Sequence, residues 1–414
     1  MFINNGQKYS FVGRKIFDML NSAIDVNLDD ILQKTLEGKP LSKDDAYEII
    51  NSEATDFIAD VAGKIRNQIK GRSVTYSRKV FINLVNLCRD TCSYCTYKRE
   101  PSDRSASMMT PQQVVTIAEA GRRFQCTEAL FVTGERPEQR YPQVREWLRS
   151  VGHPSTVEYI REMSEMVLHK TGLLPHTNAG SLTKKEMSSL RDTNISLGVM
   201  LESASERLMA KGMPHEMAPS KNPKVRLRTL QNAGELKIAT TTGLLVGIGE
   251  SSEELIDSLF MIKEIHCRYG HIQELIMQNF APKPETAMAK FLPPSHDYFL
   301  RSVALARIIL PEMNIQVPPN LTPNIFGRYI DAGINDWGGI SPLTIDYVNP
   351  EFPWPSIESV KYVTRIKGYN LRARLPIYPE FVKKNNDEFI PAKLRGYIDL
   401  FTDANGFVKE EYIN

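Results

Sequence analysis

VFINLVNLCRDTCSYCTYKRE, residues 80–100, opens as a strand and continues as a ligand loop. Its first eight residues are β-branched and apolar with no breaker, the composition of a strand buried on both faces. Directly after Leu87 come Cys88, Cys92 and Cys95, three of the chain's five cysteines, spaced C-x3-C-x2-C. Soft thiolates favour iron–sulfur or zinc over hard cations. Three thiolates hold three irons of a [4Fe–4S] cluster and leave the fourth open to an exogenous ligand with amino and carboxylate groups. The competing reading is a zinc site completed by Cys126 or Cys267, but neither stands in a paired C-x2-C arrangement. A bacterial ferredoxin run needs a further cysteine followed by proline, which this stretch lacks. Cys126 and Cys267 read as buried small apolar residues.

Beyond the cysteines, strand-like and helix-like runs alternate. The strand candidates are EALFVT, LLPHTN, ISLGVML, IATTTGLLVGI, IQELIMQNF, NIQVP and INDW. Between them lie amphipathic runs with helix-start signals, such as Thr110 with Pro111 and Gln113, and Ser155 with Glu158. TPNIFGRYIDAG reads as the helix before the last strand. Alternation of this kind means βαβ units on a parallel sheet. Eight units between residue 80 and about 345 approach the ~250 residues of a TIM-type (β/α)8 barrel. A six-unit partial barrel and a doubly wound sheet are the alternatives. Residues 1–75 read as an N-terminal helical extension, with Ser42 placed three residues before Asp45 as a capping pair. Residues 76–370 form the barrel, and 371–414 a C-terminal extension on its outside. In such a barrel the chemistry sits at the C-terminal strand ends, where the cysteine loop begins.

The 414 residues carry a net charge of +2, which gives no electrostatic case for nucleic acid or an anionic membrane. The basic run from Lys64 to Lys79 reads as a solvated helix face leading into a strand. An odd cysteine count with three clustered excludes a secreted disulfide framework and points to a reducing compartment. No run approaches 18 apolar residues, and the first twenty show no signal-peptide pattern, so the expected location is cytoplasmic.

C-x3-C-x-aromatic-C after a first barrel strand, with Tyr94 as the aromatic, resembles the signature of radical S-adenosylmethionine enzymes. NLCRDTCSYCTY, TGERPEQRY, LPHTN, MLES, GLLVGIGE, HIQELIMQNFAPKP and GGISPLTIDYVNPEFPWP together resemble the 7,8-didemethyl-8-hydroxy-5-deazariboflavin synthases, the first subunit of FO synthase. The resemblance spans about residues 75–370. It implies that Cys88, Cys92 and Cys95 hold a [4Fe–4S] cluster whose open iron binds S-adenosylmethionine. Thr133, Gly134 and Glu135 stand where the family receives the methionine ammonium, with Thr133 replacing a common second glycine. Glu202 stands where a polar side chain meets the ribose, and Gly247 and Gly249 where backbone passes the adenine. As a dinucleotide fingerprint GLLVGIGE has the wrong spacing.

The implied reaction is hydrogen abstraction from 5-amino-5-(4-hydroxybenzyl)-6-(D-ribitylimino)-5,6-dihydrouracil by a 5′-deoxyadenosyl radical. Ring closure and loss of ammonia then yield the deazaflavin. The implied partners are this small molecule, an electron donor and a second subunit that couples tyrosine to ribitylaminouracil. A pocket for a polyol, a uracil and a phenol needs convergent polar groups and aromatic walls. The strand-end candidates are Asn178, Gln278, Asn279, Asn320, Thr322, Asp336 and Trp337, with His176 as an acid or base near neutral pH. Competing readings are the partner subunit itself, a menaquinone-pathway relative, or a non-enzymatic iron–sulfur electron carrier. An electron carrier needs neither an open coordination position nor a barrel.

Overall fold

The computed structural model describes residues 26–383 and 387–413; the helical expectation for residues before 26 lies outside them. Its strands are β1 (Ser73–Val85), β2 (Glu128–Thr133), β3 (Leu174–Asn178), β4 (Ser196–Gly198), β5 (Thr240–Val246), β6 (Ile272–Asn279), β7 (Ile315–Gln316), β8 (Asp336–Ile340) and β9 (Asn370–Arg374). Every pairing between them is parallel. Strands β2 to β8 lie side by side in chain order, and β1 joins β8 back to β2, so eight strands close a barrel. The ring of helices outside begins where the sequence marks it. Thr110 with Gln113, Thr183 with Glu186 and Ser251 with Glu254 all form reciprocal capping boxes. The expected helix in TPNIFGRYIDAG shrinks to Arg328–Asp331, because Pro319–Leu321 and the turns after it use up the connection.

Helices Lys43–Asn51 and Thr55–Lys70 pack against the outer helix His296–Ile309. Arg301 clamps them there, donating to the Ile50 carbonyl (2.9 Å) and the Thr55 hydroxyl (2.6 Å). The basic run is not wholly a solvated face: Arg66 and Lys79 are buried. Cys126 is buried as expected, but Cys267 is exposed on the outer face of helix Ser252–Tyr269.

The chain after residue 370 does not stay outside the barrel. Strand β9 pairs with Ser73–Ser77 at the lower half of β1, and the residues after it cross the barrel floor. There Arg374 meets Asp336 at 2.6 and 2.9 Å and Glu274 at 3.1 Å, all three side chains buried. Glu274 also accepts from Tyr378 (2.8 Å) and Thr241 (2.9 Å). Burial drives the Glu274 carboxyl up, and Arg374 opposes it. Removing one member of a buried ionic cluster leaves charge uncompensated, so Arg374→Met should cost about 3–5 kcal/mol of stability. Arg372→Met, whose partner Asp403 is half exposed, should cost under about 1 kcal/mol. Denaturant unfolding of the two variants checks the difference.

Candidate functional site

Strand β1 slips register between Asn83 and Val85, the irregularity that turns the chain into the cysteine loop. Asn86 staples the loop's return: its side chain donates to the Ser105 carbonyl (2.8 Å) and accepts from the Ser107 amide (2.7 Å). The end of β2 presses against the same place. A Cβ on Gly134 would stand 2.0 Å from the Leu87 carbonyl oxygen, so no larger residue fits. Next to it, the Glu135 amide donates to Cys88 Sγ (3.1 Å), and Arg89 donates back to the Glu135 carbonyl (2.8 Å). Thr91 and Ser93 bond the main chain at Met217 and Pro214, and Tyr94 Oη meets His215 Nε2 at 3.0 Å.

The three thiols are half-buried. Burial pushes the Cys88 thiol up to about 11 and raises Cys92 further. Such thiols stay protonated until a metal compensates their charge. Among the described residues, no three His, Cys, Asp or Glu side chains converge on one ion-sized point. A donor set of three thiols, one already receiving an N–H bond, suits an iron–sulfur cluster.

Tyr94 and Cys95 share a chamber of about 100 Å3 with Met200, Glu202, Gln278 and Lys283. A second chamber of about 180 Å3 fills the barrel lumen below it. Met200, Gln278, Val348 and Asn349 line both, so the cysteine loop opens towards the lumen. Residues 341–354 roof the lumen. Asp346 knots this segment by accepting from the amides of Val348 (3.0 Å) and Asn349 (3.1 Å), and Lys283 holds the Val348 carbonyl at 2.7 Å.

Glu202 sits in the first chamber in left-handed backbone (φ 63°), a conformation kept for function or close packing. Its carboxylate meets Lys221 at 2.5 Å. Burial disfavours its charge, but Lys221 holds it below the usual range. Glu135 lines neither chamber. Its carboxylate accepts from the Ser181 amide (3.0 Å) and Arg226 (3.5 Å), so what it offers the cysteine loop is its main-chain amide. Thr133 turns its hydroxyl back to the Gly134 carbonyl (2.6 Å). Gly247 and Gly249 have φ of 95° and 112°. The Glu250 carboxylate pins the turn through the amides of Gly247 (2.6 Å) and Ile248 (2.9 Å).

Of the substrate candidates, His176, Asn178 and Gln278 face the lumen. His176 Nδ1 lies 2.6 Å from Ser196 Oγ, whose hydroxyl donates to the Pro376 carbonyl; Nδ1 therefore carries the proton. Burial lowers the His176 pKa to about 4, so it is neutral near pH 7 rather than an acid or base titrating there. Five other assignments change. Asp336 opens β8 instead of ending it, and is bound to Arg374 on the barrel floor. Trp337 points outward, stacked edge-on against Phe326 and donating to Thr364 (3.0 Å). Asn320 holds Asp346 of the roof (3.1 Å), and Thr322 lines neither chamber. Asn279 alternates away from Gln278 and the lumen. The sequence reading missed Lys79, Phe81, Lys283, Asp346, Trp354, Lys221 and Arg226. The signal for Lys79 and Phe81 was present in strand alternation on β1, and that for Asp346 and Trp354 in the aromatic, Pro-rich run GGISPLTIDYVNPEFPWP; Lys283, Lys221 and Arg226 carried none.

The Radical SAM superfamily model matches residues 82–262, which span the cysteine loop and Glu202. Solved structures show the same fold. The FeFe-hydrogenase maturase HydG from Carboxydothermus hydrogenoformans superposes with a TM-score of 0.69 at 19% identity, covering 96% of each chain. Methylornithine synthase (PylB) does so at 0.65 and 18%, covering 82% of this chain and 97% of its own. Barrel and cysteine loop together define a radical S-adenosylmethionine enzyme, a class that works with a [4Fe–4S] cluster and S-adenosylmethionine. Among curated proteins, the 7,8-didemethyl-8-hydroxy-5-deazariboflavin synthase of Methanopyrus kandleri is 46% identical over 81% of this chain and all of its own length. That of Methanocaldococcus jannaschii is 44% identical over 83% and 94%. The FO synthase of Mycobacterium tuberculosis is 42% identical over 92% of this chain, which spans about half (47%) of that longer protein. The chain belongs to the 7,8-didemethyl-8-hydroxy-5-deazariboflavin synthase family. No helix among the described residues is long and apolar enough to cross a membrane.

The tight approach at Gly134 yields a direct test. Gly134→Ala should fold but bind far less iron on anaerobic reconstitution, because the Cβ displaces Leu87 and Cys88. Alanine at Cys88, Cys92 or Cys95 should abolish iron binding, while Cys126→Ala should keep about four irons. Iron and sulfide analysis of each variant checks this.

Proposed function

We propose that this radical S-adenosylmethionine enzyme of deazaflavin synthesis converts 5-amino-5-(4-hydroxybenzyl)-6-(D-ribitylimino)-5,6-dihydrouracil to the deazaflavin, releasing ammonia. The observation that carries the reading is the shared wall between the cysteine-loop chamber and a polar lumen roofed by residues 341–354. Cys88, Cys92 and Cys95 hold the cluster, which when bound supplies one electron and a coordination position for S-adenosylmethionine, the source of the 5′-deoxyadenosyl radical. Glu202 accepts from the ribose hydroxyls. Lys221 and Arg226, already placed among carboxylates, receive the methionine carboxylate, and the β5 turn at Gly247 passes the adenine. The lumen takes the substrate, with Gln278 where the two chambers meet and His176 as a neutral hydrogen-bonding group. The closed floor and roof keep water from the reacting carbon. A second subunit supplies the adduct from tyrosine and ribitylaminouracil, and a separate reductant supplies the electron.

Reconstituted protein given the adduct, S-adenosylmethionine and a reductant should develop deazaflavin fluorescence with release of 5′-deoxyadenosine, methionine and ammonia. Tyrosine and ribitylaminouracil should give fluorescence only when the partner subunit is added. Formation of the adduct from those two precursors without a partner would assign the chain to the other half of the pathway. Glu202→Gln should raise the S-adenosylmethionine requirement about tenfold or more, the loss expected for a charge-assisted hydrogen bond.

A further inference from the structure

Strand β1 puts a lysine into the lumen whose amine has no hydrogen-bond or ion-pair partner among the described residues. Lys79 pairs in register with Glu128 of β2, and its side chain runs across Gly339 of β8. A Cβ on Gly339 would fall 2.3–2.6 Å from Lys79 Cδ, Cε and Nζ, so the glycine clears the lysine's path. Its ammonium lies 5.4 Å from the Phe81 ring centre and 5.0 Å from that of Trp354. The nearby carboxylates are engaged elsewhere. Glu128 takes the Ser77 hydroxyl, Glu274 takes Arg374, Tyr378 and Thr241, and Asp346 takes Asn320 and the roof amides. Among the described residues, no hydrogen bond or ion pair holds the Lys79 amine. Beside it the Trp354 indole N–H is buried without an acceptor.

A desolvated amine and an orphaned donor between aromatic faces call for an oxygen on a flat ring. Of the groups on the substrate proposed above, the ribityl hydroxyls are not acidic and the uracil needs a paired donor and acceptor, which a side-chain amide such as Gln278 provides. A phenol fits, because its ordinary pKa of about 10 nearly matches that of lysine at about 10.4, so the two share a proton readily. Burial lowers the Lys79 pKa, which makes the amine a weaker base and keeps the shared proton nearer the phenol oxygen. We propose that Lys79 recognises the substrate's phenol oxygen in the slot between Phe81 and Trp354 and so selects a hydroxybenzyl over a benzyl adduct. This rests on the reading of the lumen as the adduct site.

The test is equilibrium binding, to reconstituted holoenzyme with S-adenosylmethionine and no reductant, of the adduct and of its analogue lacking the phenol hydroxyl. Wild type should lose about tenfold or more in affinity when the hydroxyl is absent. Lys79→Met should bind the hydroxylated adduct as weakly as wild type binds the analogue, and should no longer tell the two apart. Melting temperature and iron content confirm that the variant is folded, and Lys79→Gln replaces it if it is not. Equal binding of both ligands by wild type overturns the proposal without any variant, as does undiminished discrimination in Lys79→Met. Wild type that forms deazaflavin yet ignores the hydroxyl refutes the role of Lys79 alone. Wild type that neither binds the adduct nor forms deazaflavin from it refutes the substrate and Lys79 together.

Discussion

The hydrogen-bond ladder of β1 is the constraint on which the rest hangs. At 13 residues it is the longest strand described. Along one edge it pairs first with β9 and then with β2; along the other it pairs with β8. The same strand closes the barrel, seats the C-terminal segment and launches the cysteine loop. Because side chains alternate along a strand, its register also decides what enters the lumen. Lys79 and Phe81 point in, while Val80, Ile82 and Leu84 pack on the outer helices. A one-residue slip would exchange these sets and break the Gly134 approach at once.

The lumen holds an unusual density of charge for a protein interior, and its arrangement divides by depth. On the floor Arg374, Asp336, Glu274 and Tyr378 satisfy one another, forming a seal with no vacancy for a ligand. Above it, among the described residues, the Lys79 amine has no hydrogen-bond or ion-pair partner and the Trp354 N–H no acceptor, and near the cysteine loop Glu202, paired with Lys221, lines the other chamber. Buried polar groups without partners are rare and costly. Lys79 and Trp354 lie together in the barrel lumen, the place where, on the proposed reading, an incoming molecule supplies what the protein does not.

Much of this was legible in the sequence. Cys88, Cys92 and Cys95, the strand before them and the capping boxes at Thr110, Thr183 and Ser251 are local signals, so each could be read in place. Asp336 and Trp337 were misplaced for a physical reason. In INDW the eye takes a strand end, but β8 starts there and continues through Gly338–Gly339–Ile340. Glycines in a strand look like a stop until the side chains they make room for, Gln316 and Lys79, are known. Residues 371–414 read as an exterior extension because the tail is mixed and polar; only the distant Glu274 and Asp336 make the burial of Arg374 affordable. His176 reads from sequence as titrating near neutrality, since nothing local reveals that burial and Ser196 keep it neutral.

The roof completes the site late in the chain and from far away in sequence. Thr344 Oγ1 accepts from the Phe81 amide (3.0 Å), tying residues 341–354 to the strand that carries the lumen's aromatic wall. Lys283 ties the same segment to the loop after β6, beside Cys95. One stretch therefore touches both the slot at Lys79 and the chamber at the thiols. On the proposed reading, a substrate ordered by Trp354 at one end would be fixed in distance from the cysteine loop at the other. For a reaction begun by a short-lived radical, that fixed span is what lets binding far from the reacting carbon determine which hydrogen is taken.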